Sequence, residues 1–426
     1  MKKINIGLIG LGTIGSGVLK ILSQKRKSFK KKYDVDFNMA KICDKNPKLR
    51  SKLNISPRIF TTKYQDIVNS KDIDVVIELI GGINPAKDII LRSLESGKSV
   101  ITANKALLAQ DLSSMLAVAH KNKSQLRFEA SVCGGIPIIK SLTEGLVADR
   151  IESVVGIING TSNYILSEMA EQDCSFFEAL SEAKKRGFAE RNPSLDIKGF
   201  DSAHKLSILA FLAFGKYILQ KDIYVKGIEE ISPLDIKYAK ELGLVIKLLA
   251  IAKKSDGDIL EVRVHPTLIS EEHPLASVNG IFNAVYIKGE LVGDLLFFGQ
   301  GAGQLPTASA VISDLIDIAS QKRPIDFSQK GLIKKIKRMD DIRSKYYIRF
   351  MVIDKPGVLA KISGILAKRK ISIASVTQKE RSRAKVVPVI MLTHDVREKD
   401  IRLALEAIDK LAMVKKNTVV IHREEL

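Results

Sequence analysis

The segment Gly10-Leu11-Gly12-Thr13-Ile14-Gly15 constrains the architecture of this chain more than any other feature. It follows an apolar run, Ile4 to Ile9, and opens a helical pattern from Ile14 to Ser23. In a strand-turn-helix unit the first glycine permits the tight turn, the second lets backbone approach a pyrophosphate, and the third lets helix pack on strand. Amides at the helix start then face an anion. Strand-like runs at Phe37 to Cys43, Val75 to Ile80 and Ser99 to Thr102 alternate with helical stretches, the signature of a parallel sheet covered on both faces. An α/β chain is therefore expected, opening with a Rossmann-type doubly wound sheet. Asp44, ending the second strand, suits a ribose 2′-hydroxyl, whereas Lys45 or Lys48 suits a 2′-phosphate, so NAD and NADP both remain open. Thr102-Ala-Asn-Lys105 sits just past a strand's carboxyl end, where open α/β sheets place ligands.

From about Arg127 the texture changes. A Gly-Gly-Ile-Pro turn precedes an amphipathic helix over Ile138 to Leu146, a strand over Ile151 to Ile158 and helices through residues 162–252. Strands return at Leu260 to Val264 and Asn283 to Ile287, giving a mixed α+β second domain. The helix over Pro306 to Ala319 is expected to return to the first domain. Beyond a basic connector comes strand, helix, strand, strand, helix, strand, over Tyr347–Val352, Val358–Arg369, Ile373–Gln378, Lys385–Thr393, Lys399–Ala412 and Thr418–His422. That order is a ferredoxin-like βαββαβ module. The expected domains are 1–130 with about 305–320, then 131–304, a linker over 321–345, and 346–426.

With 45% hydrophobic and 27% charged residues the chain is globular, and its length of 426 residues allows two or three cores. The net charge of +20 invites a nucleic-acid reading. Yet the basic stretches Lys25 to Lys32 and Lys334 to Arg338 lack interleaved aromatics, so they read as solvated faces and no nucleic-acid partner is expected. Cys43, Cys133 and Cys174 are an odd number without metal or redox spacing, which suits a reducing, cytoplasmic setting. The longest apolar stretch, Leu206 to Leu219, is broken by Gly215 and Lys216 and falls short of the roughly 20 residues a bilayer span needs. No membrane association is expected.

The chemically densest stretch runs from Ala183 to Lys205 and gathers Glu190, Asp196, Asp201 and Lys205 within a loop broken by Gly187, Pro193 and Gly199. Asp201 and Lys205 are four apart and share one face of a helix whose continuation, Leu206-Ser-Ile-Leu-Ala-Phe, is apolar. A surface ion pair rarely sits on so apolar a helix. Carbonyl reduction needs a hydride and a proton for the developing alkoxide, and a tuned lysine can donate that proton. Lys205 is the candidate, with Asp201 orienting it and Glu190 and Asp196 binding an ammonium or hydroxyl. His204 points about 100° away around the helix and reads as structural.

The Ala183 to Lys205 stretch, together with "RFEASVCGGIPIIKSL", "GIINGTSNYIL", "VHPTLISEEHPLASVNGIFNAV" and "GQGAGQLPTASAV", resembles the homoserine dehydrogenase family over essentially the whole chain. That resemblance implies NAD(P)-dependent interconversion of aspartate semialdehyde and homoserine in threonine, methionine and isoleucine biosynthesis. It assigns Lys205 to proton transfer, with Glu190, Asp196, Asp201, Gly160 and Thr161 handling homoserine. Thr13, Ile14, Lys105, Gly187 and Gly303 match cofactor-contacting positions, beside Gly10, Gly12, Gly15 and Thr102. It also implies a monovalent cation, usually sodium, at Glu129, Val132, Gly134 and Ile136; Cys133 stands where a small residue is expected. Asp354-Lys-Pro-Gly357 looks like the opening of an ACT domain, which implies threonine as an effector, although a purely oligomerising module fits the same residues. A homodimer or homotetramer is expected. Since the glycine fingerprint begins at residue 10, the chain is expected to be monofunctional. Two competing readings are an oxidoreductase for another small carbonyl compound and an amino-acid-responsive regulator without turnover; the intact Asp201 and Lys205 argue against the second.

Overall fold

The apolar run after Met1 becomes β1 (Lys2–Ile9), buried without alternation from Ile6 to Ile9 as a central parallel strand must be. The computed structural model describes residues 1–255, 257–322, 324, 325, 333, 335–379 and 386–426. After β1 come α1 (Thr13–Tyr33), β2 (Val35–Cys43), β3 (Phe60–Thr61), β4 (Val75–Glu78), α2 (Ala86–Glu95), β5 (Ser99–Thr102), α3 (Lys105–Lys121) and β6 (Leu126–Arg127). All pairings are parallel, in the order β3-β2-β1-β4-β5-β6. The winding reverses between β1 and β4, so the crevice at their carboxyl ends lies at the glycine loop. Part of the Lys25 to Lys32 stretch is structural, since Arg26 and Lys30 both pair with Asp36.

The chain continues with β7 (Ile151–Ile157), α4 (Gly160–Gln172), α5 (Phe176–Lys185), α6 (Phe200–Phe214), α7 (Pro233–Glu241), β8 (Leu244–Ser255), β9 (Ile259–Ser270), β10 (Phe282–Gly289), β11 (Gly293–Gln300) and α8 (Gln304–Ala319). The last module is β12 (Arg343–Ile353), α9 (Val358–Lys368), β13 (Ile373–Thr377), β14 (Val386–Thr393), α10 (Glu398–Ile408) and β15 (Val414–Arg423). Two compact units result. One holds Met1–Val154, Ser202–Asp222 and Phe282–Ile333; the other holds Val155–Asp201, Ile223–Ile281 and Lys334–Leu426.

In the first unit α8 packs along α1, and its Ala308, Val311, Ile312, Leu315 and Ile318 enter the same core as Ile4, Ile6, Leu8 and Val18. Gly17 permits the approach: a Cβ there would lie 2.9 Å from Gln304 Cγ and 3.0 Å from Ala308 Cβ. In the second unit β8 and β9 form an antiparallel pair. β9 then pairs with β15, which continues through β12 and β14 to β13, so the ferredoxin-like module extends that sheet. The module is anchored by Arg349 and Tyr347 of β12. Arg349 Nε donates to Asp235 Oδ1 at 2.7 Å and Nη2 to Oδ2 at 3.1 Å, while the Tyr347 hydroxyl donates to Oδ1 at 3.1 Å. Asp235 also closes the capping box of α7 with Ser232.

Several expectations are corrected. Leu244 to Ala252, read as the end of a helical region, is β8. Gly243, at φ +68, ends α7 before it. A run apolar on every side carries no period to separate strand from helix, and Val245, Ile246 and Ile251 favour the pleated surface. The helix expected over Ile138 to Leu146 is α-helical only at Ile138–Lys140 and continues as a π-helix over Ser141–Gly145. There the Ser141 and Thr143 hydroxyls donate to the carbonyls of Pro137 and Ile139, four residues back, and Leu146 N–H reaches Ser141 O. Strand β11 was not anticipated. The connector expected over 321–345 falls partly outside the described residues, at 323, 326–332 and 334, as does Lys385 at the expected start of β14. No helix among the described residues is long and apolar enough to cross a membrane.

Candidate active site

The glycine loop is shaped by backbone contacts. A Cβ on Gly10, at φ +102, would lie 2.7 Å from Leu79 O, and one on Gly15 would lie 2.0 Å from Gly10 O. Gly12, by contrast, has nothing within 4 Å of such an atom, and it begins α1 with no side-chain cap. The exposed Thr13 and half-buried Ile14 follow. The start of α1 is thus open above and uncapped by any side chain, the condition a pyrophosphate site needs. Asp44 Oδ2 accepts Leu11 N–H at 2.7 Å and Oδ1 accepts Asn46 N–H at 2.8 Å, so this carboxylate shapes the loop. Gly303, at φ +121, precedes α8, where Gln304 Nε2 donates to Ser16 Oγ at 2.9 Å on the first turns of α1.

A buried network fixes the neighbouring strand ends. Thr102 Oγ1 donates to Glu78 Oε2 at 2.6 Å and accepts from Asn104 N–H at 3.0 Å. Asn104 caps α3 by accepting from Leu107 N–H and donates through Nδ2 to Gly82 O at 2.6 Å. Glu78 Oε1 takes Ile80 N–H at 2.8 Å. Burial pushes the Glu78 carboxyl above its ordinary value, against these hydrogen bonds. Thr102 therefore positions the loop rather than presenting a hydroxyl to solvent, and Lys105 follows on the first turn of α3, half-buried.

In the second unit Asn159 organises the substrate candidates. It caps α4 by accepting Ser162 N–H at 2.8 Å, and its Nδ2 donates to Asp196 Oδ1 and Asp201 Oδ2, both at 2.7 Å. Gly160 and Thr161 form the first turn of α4, with Thr161 Oγ1 donating to Phe188 O at 2.7 Å. Ser162 Oγ donates to Asp196 O at 2.9 Å. The 188–201 loop is therefore stitched to the start of α4, with Glu190 exposed and Asp196 half-buried on it. Gly187 sits at an exposed bend with φ +74. Asp201 lies in the first turn of α6 and Lys205 one turn further along; both are buried, at 4% and 8% exposure, on a helix whose Ala203 and Leu206 are wholly buried. His204 Nε2 meets Gln220 Oε1 at 3.0 Å, a structural contact.

The candidate cation loop lies in the first unit. Cys133 and Gly134 adopt successive left-handed conformations, φ 54 and 49, turning the chain sharply between Val132 and Ile136. A Cβ on Gly134 would lie 2.6 Å from Gly301 O. Both Glu129 carboxylate oxygens accept backbone N–H groups, from Ile139 and Lys140, at 2.9 Å each. Burial pushes this carboxyl up to about 7. The acid is committed to the start of the 138–145 helical segment, so a cation here would take main-chain carbonyls, from Glu129 as well as from Val132, Gly134 and Ile136. Such a shell is compatible with there being no group of three or more His, Cys, Asp or Glu suited to a metal among the described residues.

Sequence reasoning did not single out Asn159 or Glu78. Asn159 carried a signal, an asparagine between a buried strand and a helix, which is a cap position. Glu78 ends an apolar strand, where nothing in its neighbours marks it as buried.

Family models match three segments: "Homoserine dehydrogenase, NAD binding domain" over residues 10–129, "Homoserine dehydrogenase" over 137–316 and "ACT domain" over 346–412. A homoserine dehydrogenase of Neisseria gonorrhoeae is 42% identical over 435 residues, covering 100% of both chains. That of Helicobacter pylori is 43% identical, covering 97% of each. The crystal structure of a homoserine dehydrogenase from Thiobacillus denitrificans superposes with a TM-score of 0.93 at 41% identity, over 100% of this chain and 99% of that one. With its nucleotide-binding sheet and C-terminal ACT module, the chain belongs to the homoserine dehydrogenase family of oxidoreductases.

Proposed function

We propose that this chain interconverts L-aspartate 4-semialdehyde and L-homoserine with NADP or NAD, using Lys205 for proton transfer. The observation that carries the reading is the pair of carboxylates gathered by Asn159, the half-buried Asp196 and the buried Asp201, the second a turn before a buried lysine on α6. Bound at the start of α1, the nicotinamide cofactor supplies or takes the hydride. Lys205 Nζ donates a proton to the carbonyl oxygen as the aldehyde is reduced and recovers it in the reverse direction. Asp201, held by Asn159, orients the lysine; Asp196 and Glu190, with Gly160 and Thr161, bind the amino-acid end of the substrate. Lys105, Gly187 and Gly303 complete the cofactor contacts. An archaeal homoserine dehydrogenase of similar fold has been solved with NADPH, at 26% identity and a TM-score of 0.66. A Glu190→Gln variant, exposed and outside any core, is expected to raise KM for homoserine about tenfold while the cofactor KM stays put. An unchanged homoserine KM sinks this substrate assignment.

The 129–136 loop is read as a sodium site built from carbonyls. Dialysis into a tetramethylammonium buffer should lower turnover and added sodium restore it; equal rates in both buffers would remove the cation. The ACT module is read as a threonine sensor, which the same assay with and without threonine tests. β11 supports self-association: it lies at a sheet edge with Leu296 40% and Phe298 55% exposed and Phe282 stacked on Phe298 at 5.1 Å. Light scattering should give a dimer or tetramer, reverting toward one chain in Phe298→Lys. A cytoplasmic setting is the reading that the three cysteines without metal or redox spacing support.

A further inference from the structure

We infer that Lys247 is a positioning residue for the substrate site, its buried ammonium pinning the 278–281 turn that lies against the first turn of α4. The inference rests on the reading of Gly160 and Thr161 as substrate-contacting and adds what holds them in place.

Lys247 is 2% exposed in the middle of β8, among Leu244, Ile246, Leu248 and Leu249. No carboxylate pairs with it among the described residues. Its Nζ instead donates to Val278 O at 2.7 Å and to Asn279 Oδ1 at 2.8 Å. Burial pushes this ammonium down to about 8. A leucine or methionine would fill the strand at less desolvation cost, so the lysine's distinguishing contribution is its bonds to the turn.

The same turn is held from the other side by α4. Asn163 Nδ2 donates to Val278 O at 3.2 Å and Gly280 O at 3.0 Å, while Gly280 N–H donates to Ser167 Oγ at 3.0 Å. Asn163 and Ser167 are one helical turn apart. Three side chains from two elements thus converge on a few residues of backbone. The next carbonyl, Ile281 O, is so close to Gly160 that a Cβ there would lie 2.7 Å from it. Gly160 follows Asn159, the residue that gathers Asp196 and Asp201. Slack in the turn is therefore transmitted to the start of α4, where the substrate is read to bind.

The test is Lys247→Met in the full-length protein, with KM for homoserine, KM for NADP and kcat measured beside Glu190→Gln. Homoserine KM is expected to rise about tenfold or more, with cofactor KM and kcat each within about threefold of the parent, since a sub-ångström displacement of binding groups is felt by one substrate only. A purely structural lysine would lower stability or erode all three constants together, and either that or an unchanged homoserine KM overturns the inference. If Lys247→Met does not fold, Asn279→Ala removes one acceptor at an exposed residue and must shift homoserine KM in the same selective way; no shift overturns it. A shift in Glu190→Gln without one in Lys247→Met defeats this inference alone, whereas no shift in either defeats the substrate reading with it.

Discussion

Lys205→Ala is expected to lower kcat in both directions by about 10²- to 10⁴-fold, the range for loss of a positioned general acid–base. Cofactor binding, followed by NADPH fluorescence, should persist, because the glycine loop and the start of α1 are built from other residues. Lys205 is buried at 8% exposure on a helix of apolar neighbours, and one turn earlier Asp201 is locked through Asn159. Lys205→Arg separates proton transfer from mere charge. Arginine keeps the positive charge but does not give up its proton at working pH. Both variants should therefore be inactive. Turnover of either within tenfold of the parent would falsify the assignment and leave Lys205 as a binding group.

Asp235→Ala is expected to be the most destabilising single change. Asp235 is wholly buried and accepts from Arg349, Tyr347 and Ser232. Deleting it strands the Arg349 guanidinium, itself 8% exposed, without its counter-charge. Breaking one side of a buried pair costs about 3–5 kcal/mol, far more than the pair contributes relative to an apolar replacement. The double variant Asp235→Leu with Arg349→Met should accordingly recover most of the loss. Denaturant unfolding of the three proteins checks this; a single variant as stable as the parent would show that water reaches Arg349.

How far residues alone reveal such a molecule depends on whether a side chain's partner is near in sequence. The glycine loop was legible because its turn, approach and packing requirements all fall within six residues, Gly10 to Gly15. Asp201 and Lys205 were legible because helical spacing places them on one face. Asn159 was not, since its partners Asp196 and Asp201 lie 37 and 42 positions away. Lys247 carries no local signal of its role, since its acceptors lie 31 and 32 residues on. The same remoteness hid β8: a strand buried on both faces shows neither the period of two nor that of 3.6 residues on which the distinction depends. The π-helix over Ser141–Gly145 depends on hydroxyls choosing carbonyls inside the turn, a preference too weak to outweigh an amphipathic pattern.

The helix α8 completes a core whose other members, from Ile4 to Ala130, all lie more than 170 positions before it. A ribosome works from the N-terminus, so all six parallel strands have emerged while the residues that close over α1 are still unmade. During that interval the stripe around Gly17 and Val18 has no α8 to cover it and is expected to stay exposed until Ala319 is made. A fragment ending near residue 130 is expected to leave that stripe uncovered.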